Sequence, residues 1–522
     1  MGRFRWRVGL SAPQKRLRAQ HSRVTVLESA PGIVLHRERL VGVSGLAESV
    51  TKATIGWGLK CFYSLGQAAE SIKSFGFGTL LLLYYNQVLG LSGTYSGIAV
   101  FIAVACDAIS DPAVGSWSDG FRHRLGRRHL FMYAGAVPLG ITYYFLFWPP
   151  EGLSEFQLFA WFTTFAVLSR TALTFFHVPY LSLGAEMTMN YQERTQIVAL
   201  RTAFGMVASL LVVMLAWNYF FVETPDNSTP QLTREPYFKY ALLSSVVMMG
   251  MMLISSWGTQ RLVPMLSQAA KDHPPFSLAQ VYRDLYQALK NKAFFALFWG
   301  SLLFAVYAGI QGALSMHLLT FVWELETSGI EFTQYGGIIG GLLGISLITT
   351  LHRKVDKRKT LIIGVSTSAC AGTLPVACYL AGLMPDDPAV LVPILVTTTA
   401  LSAGGILLAA VSGSSMTGDI ADEHELNHGR RQEGVFFGSH NFALKCTSAL
   451  GNLAAGFALD IVSFPVNTKP GEVPETVLLD FGTVYVSIAL ILVVALWVFW
   501  PYDLSQERHD HIKRALADRK VA

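Results

Sequence analysis

Two aspartates, Asp107 and Asp111, stand at the end of a long apolar run, and four arginines, Arg122, Arg124, Arg127 and Arg128, follow within DAISDPAVGSWSDGFRHRLGRR. If the run from about Ser92 to Ser118 spans a membrane as a helix, the two carboxylates lie one turn apart on one face. A carboxylate in hydrocarbon costs about 3 kcal/mol or more unless it is paired, wetted or bound to a cation. The pair is therefore a candidate seat for sodium or a proton at Asp107 and Asp111, or else a structural ion pair inside a helix bundle. Other ionisable groups interrupt apolar runs in the same way: Glu70 with Lys73, Arg170 with His177, His317, and Lys445 with Asn441 one turn before it. Arg170 and His177 are two turns apart, which gives one helix a basic stripe facing inward. Unpaired opposite charges in one bundle are each costly, so the aspartate pair is the expected partner of Lys445. A cation arriving at the pair would then compete with Lys445, making the lysine, with Asn441 beside it, a charge switch. Glu70, Ser71, Lys73, Arg170 and His177 are expected to touch a substrate cavity.

These residues need elements to hold them, and composition says what kind. The chain has 522 residues, of which 52% are hydrophobic and 14% charged, with a mean hydropathy of +0.41. Soluble domains carry about 25% charged residues, so this is an all-α polytopic membrane protein embedded in the lipid bilayer. The net charge of +5 is spread over short loops between apolar spans, which is a topology signal and leaves no nucleic-acid site. Cys61, Cys106, Cys370, Cys378 and Cys446 lack the paired spacing of a zinc site or disulfide framework. With no metal-ligand cluster, nucleophile and base pair or cofactor motif, the sequence does not read as an enzyme, and it calls for no cofactor beyond a coupling ion.

Apolar runs long enough to span a bilayer recur twelve times, over about 62–88, 94–117, 129–148, 155–183, 198–222, 238–260, 293–322, 333–351, 360–383, 389–415, 434–463 and 478–500. Lys and Arg concentrate in the even-numbered loops, which places both termini in the cytoplasm. Residues 1–57 form a basic tail, expected to be disordered; 58–261 and 293–501 form two six-helix halves; 262–292 link them; and 502–522 form a cytoplasmic tail. The basic turn after the second span has a counterpart, HRKVDKRK, after the eighth, which points to an internal repeat. Two sixes with both termini inside is the layout of alternating-access transporters, with sites near the midplane between the halves. Charged segments on the cytoplasmic side are expected to form a gate of salt bridges. Asp119 with Arg122, Arg127 and Arg128, and Glu186 with Arg194, belong to one half, while Asp419 and Asp422 lie opposite Arg430 and Arg431 in the other. Asn227 begins a glycosylation sequon in an outward loop.

Three stretches carry a family resemblance. DAISDPAVGSWSDGFRHRLGRRH resembles the loop between helices two and three of the glycoside-pentoside-hexuronide cation symporters, the melibiose permease branch of the major facilitator superfamily. HVPYLSLGAEMTMNYQERT and GDIADEHELNHGRRQEG through Lys445 continue it, so it covers the chain from about Gly58 to Pro501. The resemblance implies the twelve-helix major facilitator fold and cation-coupled symport of a glycoside-like or other small organic solute by a monomer. It also implies cation-site roles for Asp107 and Asp111, the helix-eleven lysine role for Lys445, and inner-gate roles for Arg122, Arg127 and Arg128. Where sugar-transporting members place a binding aspartate before the helix-four Ile-Pro, this chain has His177, and the helix-one counterpart falls near Ser71, beside Glu70. FHVPY is instead similar to the lysophospholipid symporters, which leaves a lysolipid or other amphiphile as the alternative substrate. A membrane assembly or sensor protein that keeps the fold without transporting is the reading from a different class.

Overall fold

The computed structural model of the chain describes residues 55–521 except 189, 267–282, 284, 429–432 and 505. The expected basic tail, most of the inter-half linker, and Arg430 and Arg431 therefore lie outside the described residues. Described residues form twelve long helical segments and a short thirteenth, with no strand beyond an isolated bridge between Thr224 and Asn227. Nine of the segments are long and apolar enough to cross a membrane on those criteria alone.

The first segment, α1, is built from Trp57–Leu65, Gln67–Phe75 and Leu81–Leu83, interrupted by π-helical turns at Gly76–Leu80 and Tyr84–Val88. It is followed by α2 (Gly93–Gly120), α3 (His129–Leu146), α4 (Glu155–Glu186), α5 (Tyr191–Leu215) and α6 (Arg234–Thr259). The second half comprises α7 (Lys292–His317), α8 (Thr327–Lys354), α9 (Lys357–Leu380), α10 (Pro388–His428), α11 (Glu433–Ile461) and a two-piece α12 (Glu475–Ser487 and Leu490–Phe499). Four of the helices start where their sequences supply side-chain caps. Ser92 accepts from Tyr95 N at the head of α2, Ser154 and Gln157 form a reciprocal capping box at α4, and Asn190 and Asn291 cap α5 and α7.

The repeat expected from the basic turns extends to the backbone. α7 ends in a π-helical turn, Leu318–Val322, at the place where α1 ends in Tyr84–Val88. Such turns widen the helix and re-aim the groups beside them, and they are frequent at functional sites. The residues expected to form a C-terminal tail include a helix, α13 (Gln506–Val521), whose Ile512 is buried in the core of the second half along with Tyr502 and Leu504. Among the apolar contacts, α2 crosses α11 between the halves. A Cβ at Gly456 would lie 2.1 Å from Gly93 O, and one at Gly97 would lie 2.8 Å from Asn452 O. Glycine is what allows these backbones to meet.

Candidate functional site

Asp107 and Asp111 project from α2 toward α4. The guanidinium of Arg170 donates through Nε to Asp107 Oδ2 at 2.7 Å and adds a second contact to that oxygen through Nη2. Both side chains are about nine-tenths buried, at 12% and 11% exposure. Phe77 of α1 lies under the guanidinium, 5.4 Å from its ring centre. The other carboxylate oxygen, Asp107 Oδ1, is buried and has no hydrogen-bond partner among the described residues. One turn along, Thr174 Oγ1 donates to Asp111 Oδ1 at 2.7 Å. Pro112 follows Asp111 inside the helix, so the carbonyl of Ala108 has no i+4 amide to accept from. A freed carbonyl, an orphaned carboxylate oxygen and a second carboxylate one turn away are oxygen donors suited to a small hard cation or to a proton. No cluster of three or more His, Cys, Asp or Glu residues fit for a metal ion occurs among the described residues.

Beside this pair sits a second charged group. Lys73 Nζ meets Glu70 Oε1 at 2.8 Å, and Ser74 Oγ donates to the same oxygen at 3.0 Å. Arg170 and His177 both lie within the electrostatic reach of Glu70, and His177 Nε2 is buried without a hydrogen-bond partner among the described residues. Four of the five residues expected at the substrate cavity, Glu70, Lys73, Arg170 and His177, are thus brought together in one half, with Arg170 engaged on Asp107. The side chains of Asn441 and Lys445 lie outside the described residues, although α11 carries both positions.

A cavity of about 480 Å³ separates the halves. Ser71, Ser74 and Ser209 line it from one side, and Gln311, Ser402 and Tyr485 from the other. Of the residues expected there from sequence, Ser71 is in the lining, whereas Glu70, Lys73, Arg170 and His177 are outside it. The lining carries hydroxyls and amides among apolar surface and no formal charge. Ser74 connects the two regions, since it lines the cavity and bonds Glu70.

The ion pairs on the side of the basic loops join elements within each half. Glu186 Oε1, at the end of α4, accepts from Arg127 Nη2 and Arg128 Nη2, both at 2.7 Å. Arg128 also meets Asp119 and donates to Ser118 Oγ at 2.8 Å. In the second half Lys357 Nζ meets Asp419 at 2.7 Å, and His509 Nε2 lies 3.3 Å from Asp419 and 3.2 Å from Asp422. Loop 2–3 to α4 and loop 8–9 to α10 are the same position in the repeat. Arg194 is exposed, and Arg122 belongs to the loop itself. Lys60, which composition did not single out, is buried against Glu193 at 3.1 Å. Only its lone place in an otherwise apolar stretch marks it in the sequence.

On the opposite side the halves meet directly. Asp460, at the end of α11, accepts from Gly93 N at 2.9 Å and Thr94 N at 2.7 Å, so a carboxylate of one half caps the N-terminus of α2 in the other. Gln87 Nε2 donates to Pro465 O at 3.0 Å, His317 Nε2 lies 3.2 Å from Asn86 Oδ1, and Thr327 N donates to Glu223 at 2.6 Å.

Two six-helix halves around a central cavity, with ionisable groups inside the bundle and a sealed face on one side, define a secondary transporter of the major facilitator fold. The chain belongs to the MFS/sugar transport protein family, whose model matches residues 62–506. It is 24% identical over 476 residues to the glucuronide carrier protein homolog of Escherichia coli (strain K12), covering 89% of this chain and 96% of that protein. It is 25% identical over 495 residues to the sodium-dependent lysophosphatidylcholine symporter 1 of Gallus gallus, covering 88% and 89%. Among solved structures, the nucleoside transporter NupG aligns with a TM-score of 0.58 at 14% identity, over 85% of this chain and 98% of that one. These are transporters, and the chain is not an enzyme.

Proposed function

We propose that the chain is a sodium- or proton-coupled symporter that binds its cation at Asp107 and Asp111 and carries a neutral, hydroxyl-rich organic solute of the glycoside class. The observation that carries this reading is the buried, unpartnered Asp107 Oδ1 one turn from Asp111 in a proline-broken helix. A cation there satisfies oxygens that otherwise stay costly in hydrocarbon. The uncharged cavity of hydroxyls and amides suits a neutral polyol, which gains orientation from hydrogen bonds and area from the apolar wall. The relative named a putative glycoside/cation symporter supports the glycoside class. The basic loops face the cytoplasm by charge asymmetry, and the monomer contains both halves of the cavity. Lys445, a position on α11, is the charge that the arriving cation displaces. The test is gradient-driven uptake of labelled glycosides into proteoliposomes. Asp107→Asn and Asp111→Asn should each abolish cation-driven accumulation, and accumulation at the parent rate in both would sink the assignment.

A second reading has its own observation. A space of about 370 Å³ shares Ser71, Ser209 and Gly337 with the main cavity and continues between α5 and α8 to the exposed Thr202 and Leu342. That opening fits an acyl chain reaching the cavity sideways, in line with the relative named a lysophosphatidylcholine symporter. Competition of glycosides and lysolipids for uptake separates the two readings.

A further inference from the structure

We propose that Arg170 is a tethered counter-cation that sets how strongly the aspartate pair holds its coupling ion, an inference that rests on the cation site at Asp107 and Asp111. Its guanidinium takes Asp107 Oδ2 through two nitrogens and leaves Oδ1 to an arriving ion. It is held in place on two sides, by Asp107 and by the face of Phe77. Arginine is always protonated and loses little on forming a fixed bidentate contact, so this charge is permanent.

Two consequences distinguish it from Lys445. First, α2 and α4 belong to the same half, so the contact between Arg170 and Asp107 is carried along when the halves rock. A coupling device must bind differently in the two states, and a group that contributes equally to both sets affinity without setting direction. Lys445 comes from the other half and can have the differential role. Second, Arg170 offsets one of the two carboxylate charges, so that Asp107, Asp111 and Arg170 together carry a net charge of −1. A site of that charge is neutralised by a single monovalent ion. Removing the arginine leaves two negative charges in a buried setting, which holds a cation more tightly and admits a second charge.

The experiment is sodium titration of purified protein, with choline replacing sodium at constant ionic strength, read as thermal stabilisation and as the sodium concentration that half-saturates uptake in proteoliposomes. Arg170→Gln should lower the half-saturating concentration at least tenfold, or create a sodium response if the parent has none, while uptake still requires the gradient. Arg170→Lys, which keeps the charge, should stay within about threefold of the parent. Equal sodium responses in Arg170→Gln and Arg170→Lys would overturn the proposal. If Arg170→Gln fails to fold, the double variant Asp107→Asn with Arg170→Gln removes the uncompensated charge and should fold. In it the remaining Asp111 should bind sodium no less tightly than in Asp107→Asn alone, and weaker binding overturns the proposal. Failure of the underlying site has a separate signature, because Asp111→Asn would then leave the sodium response of every one of these proteins unchanged.

Discussion

At the scale of single residues, Glu186 joins the end of α4 to two arginines of the loop between α2 and α3. One oxygen serves both Arg127 and Arg128, and Arg128 is 5% exposed. Breaking a buried pair by removing one partner leaves an uncompensated charge, at a cost of about 3 kcal/mol or more. Glu186→Gln keeps the shape and removes the charge, so it should lower the thermal midpoint of the detergent-solubilised protein by several degrees, whereas exposed Arg194→Gln should leave it unchanged. Thr174 supports a prediction of both stability and function. Its hydroxyl fixes Asp111 Oδ1, and a hydrogen bond to a charged group contributes about 1.5–3 kcal/mol. Thr174→Val should therefore lower the thermal midpoint and also raise the half-saturating cation concentration about tenfold; an unaltered cation titration would remove Thr174 from the site.

At the scale of elements, α13 is what the sequence concealed. Its residues QERHDHIKRALADRKV have no long apolar run, and among the described residues Ile512 and Leu516 reach the core of the second half. Charge composition reads as a solvated tail, and the helix becomes visible only through its partners: His509 against Asp419 and Asp422, and Arg508 against Glu423. Truncation after Leu504 should leave the acidic end of α10 with Lys357 as its described counter-charge. A lower thermal midpoint is expected, and His509→Ala should reproduce part of the fall; an unchanged midpoint in both would mean that α13 adds nothing to the bundle. The long helices were legible for a simple reason, since membrane-spanning segments must be continuously apolar and must satisfy their own backbone. The aspartates stood out because charge in such a run is costly. What stayed hidden depends on which faces meet. Asp107 and Arg170 are separated by 63 residues, and no local spacing says that α2 packs on α4. Gln311, Ser402 and Tyr485 resemble many other small polar residues in apolar helices until the halves close around a cavity. The π-helical turns leave no periodic trace at all.

At the scale of the whole molecule, the two halves share a cavity and can expose it to either side only by trading one set of contacts for another. The face opposite the basic loops is closed by Asp460, which caps α2 with both carboxylate oxygens, and by the glycine crossing of α2 on α11 just beneath it. The same two helices carry the aspartate pair and the position of Lys445, so the latch and the proposed ion site lie on one pair of levers. A carboxylate exposed at a helix N-terminus, as Asp460 is, contributes about 0.3–1 kcal/mol, which corresponds to a population ratio of up to about five. Asp460→Ala should move the equilibrium toward the state open on that face by a factor of this order. The measurement uses a cysteine at cavity-lining Ser315 in a background where the native cysteines are serine, with a membrane-impermeant thiol reagent applied to the face opposite the basic loops. Labelling should accelerate severalfold in Asp460→Ala and to a lesser degree in Asp460→Asn, which keeps an acceptor oxygen but loses the charge. Gly456→Val should accelerate it too, by sterically forcing α11 away from Gly93. If labelling from that face keeps the parent rate in all three, Asp460 is a surface cap and the closing energy resides elsewhere on the interface.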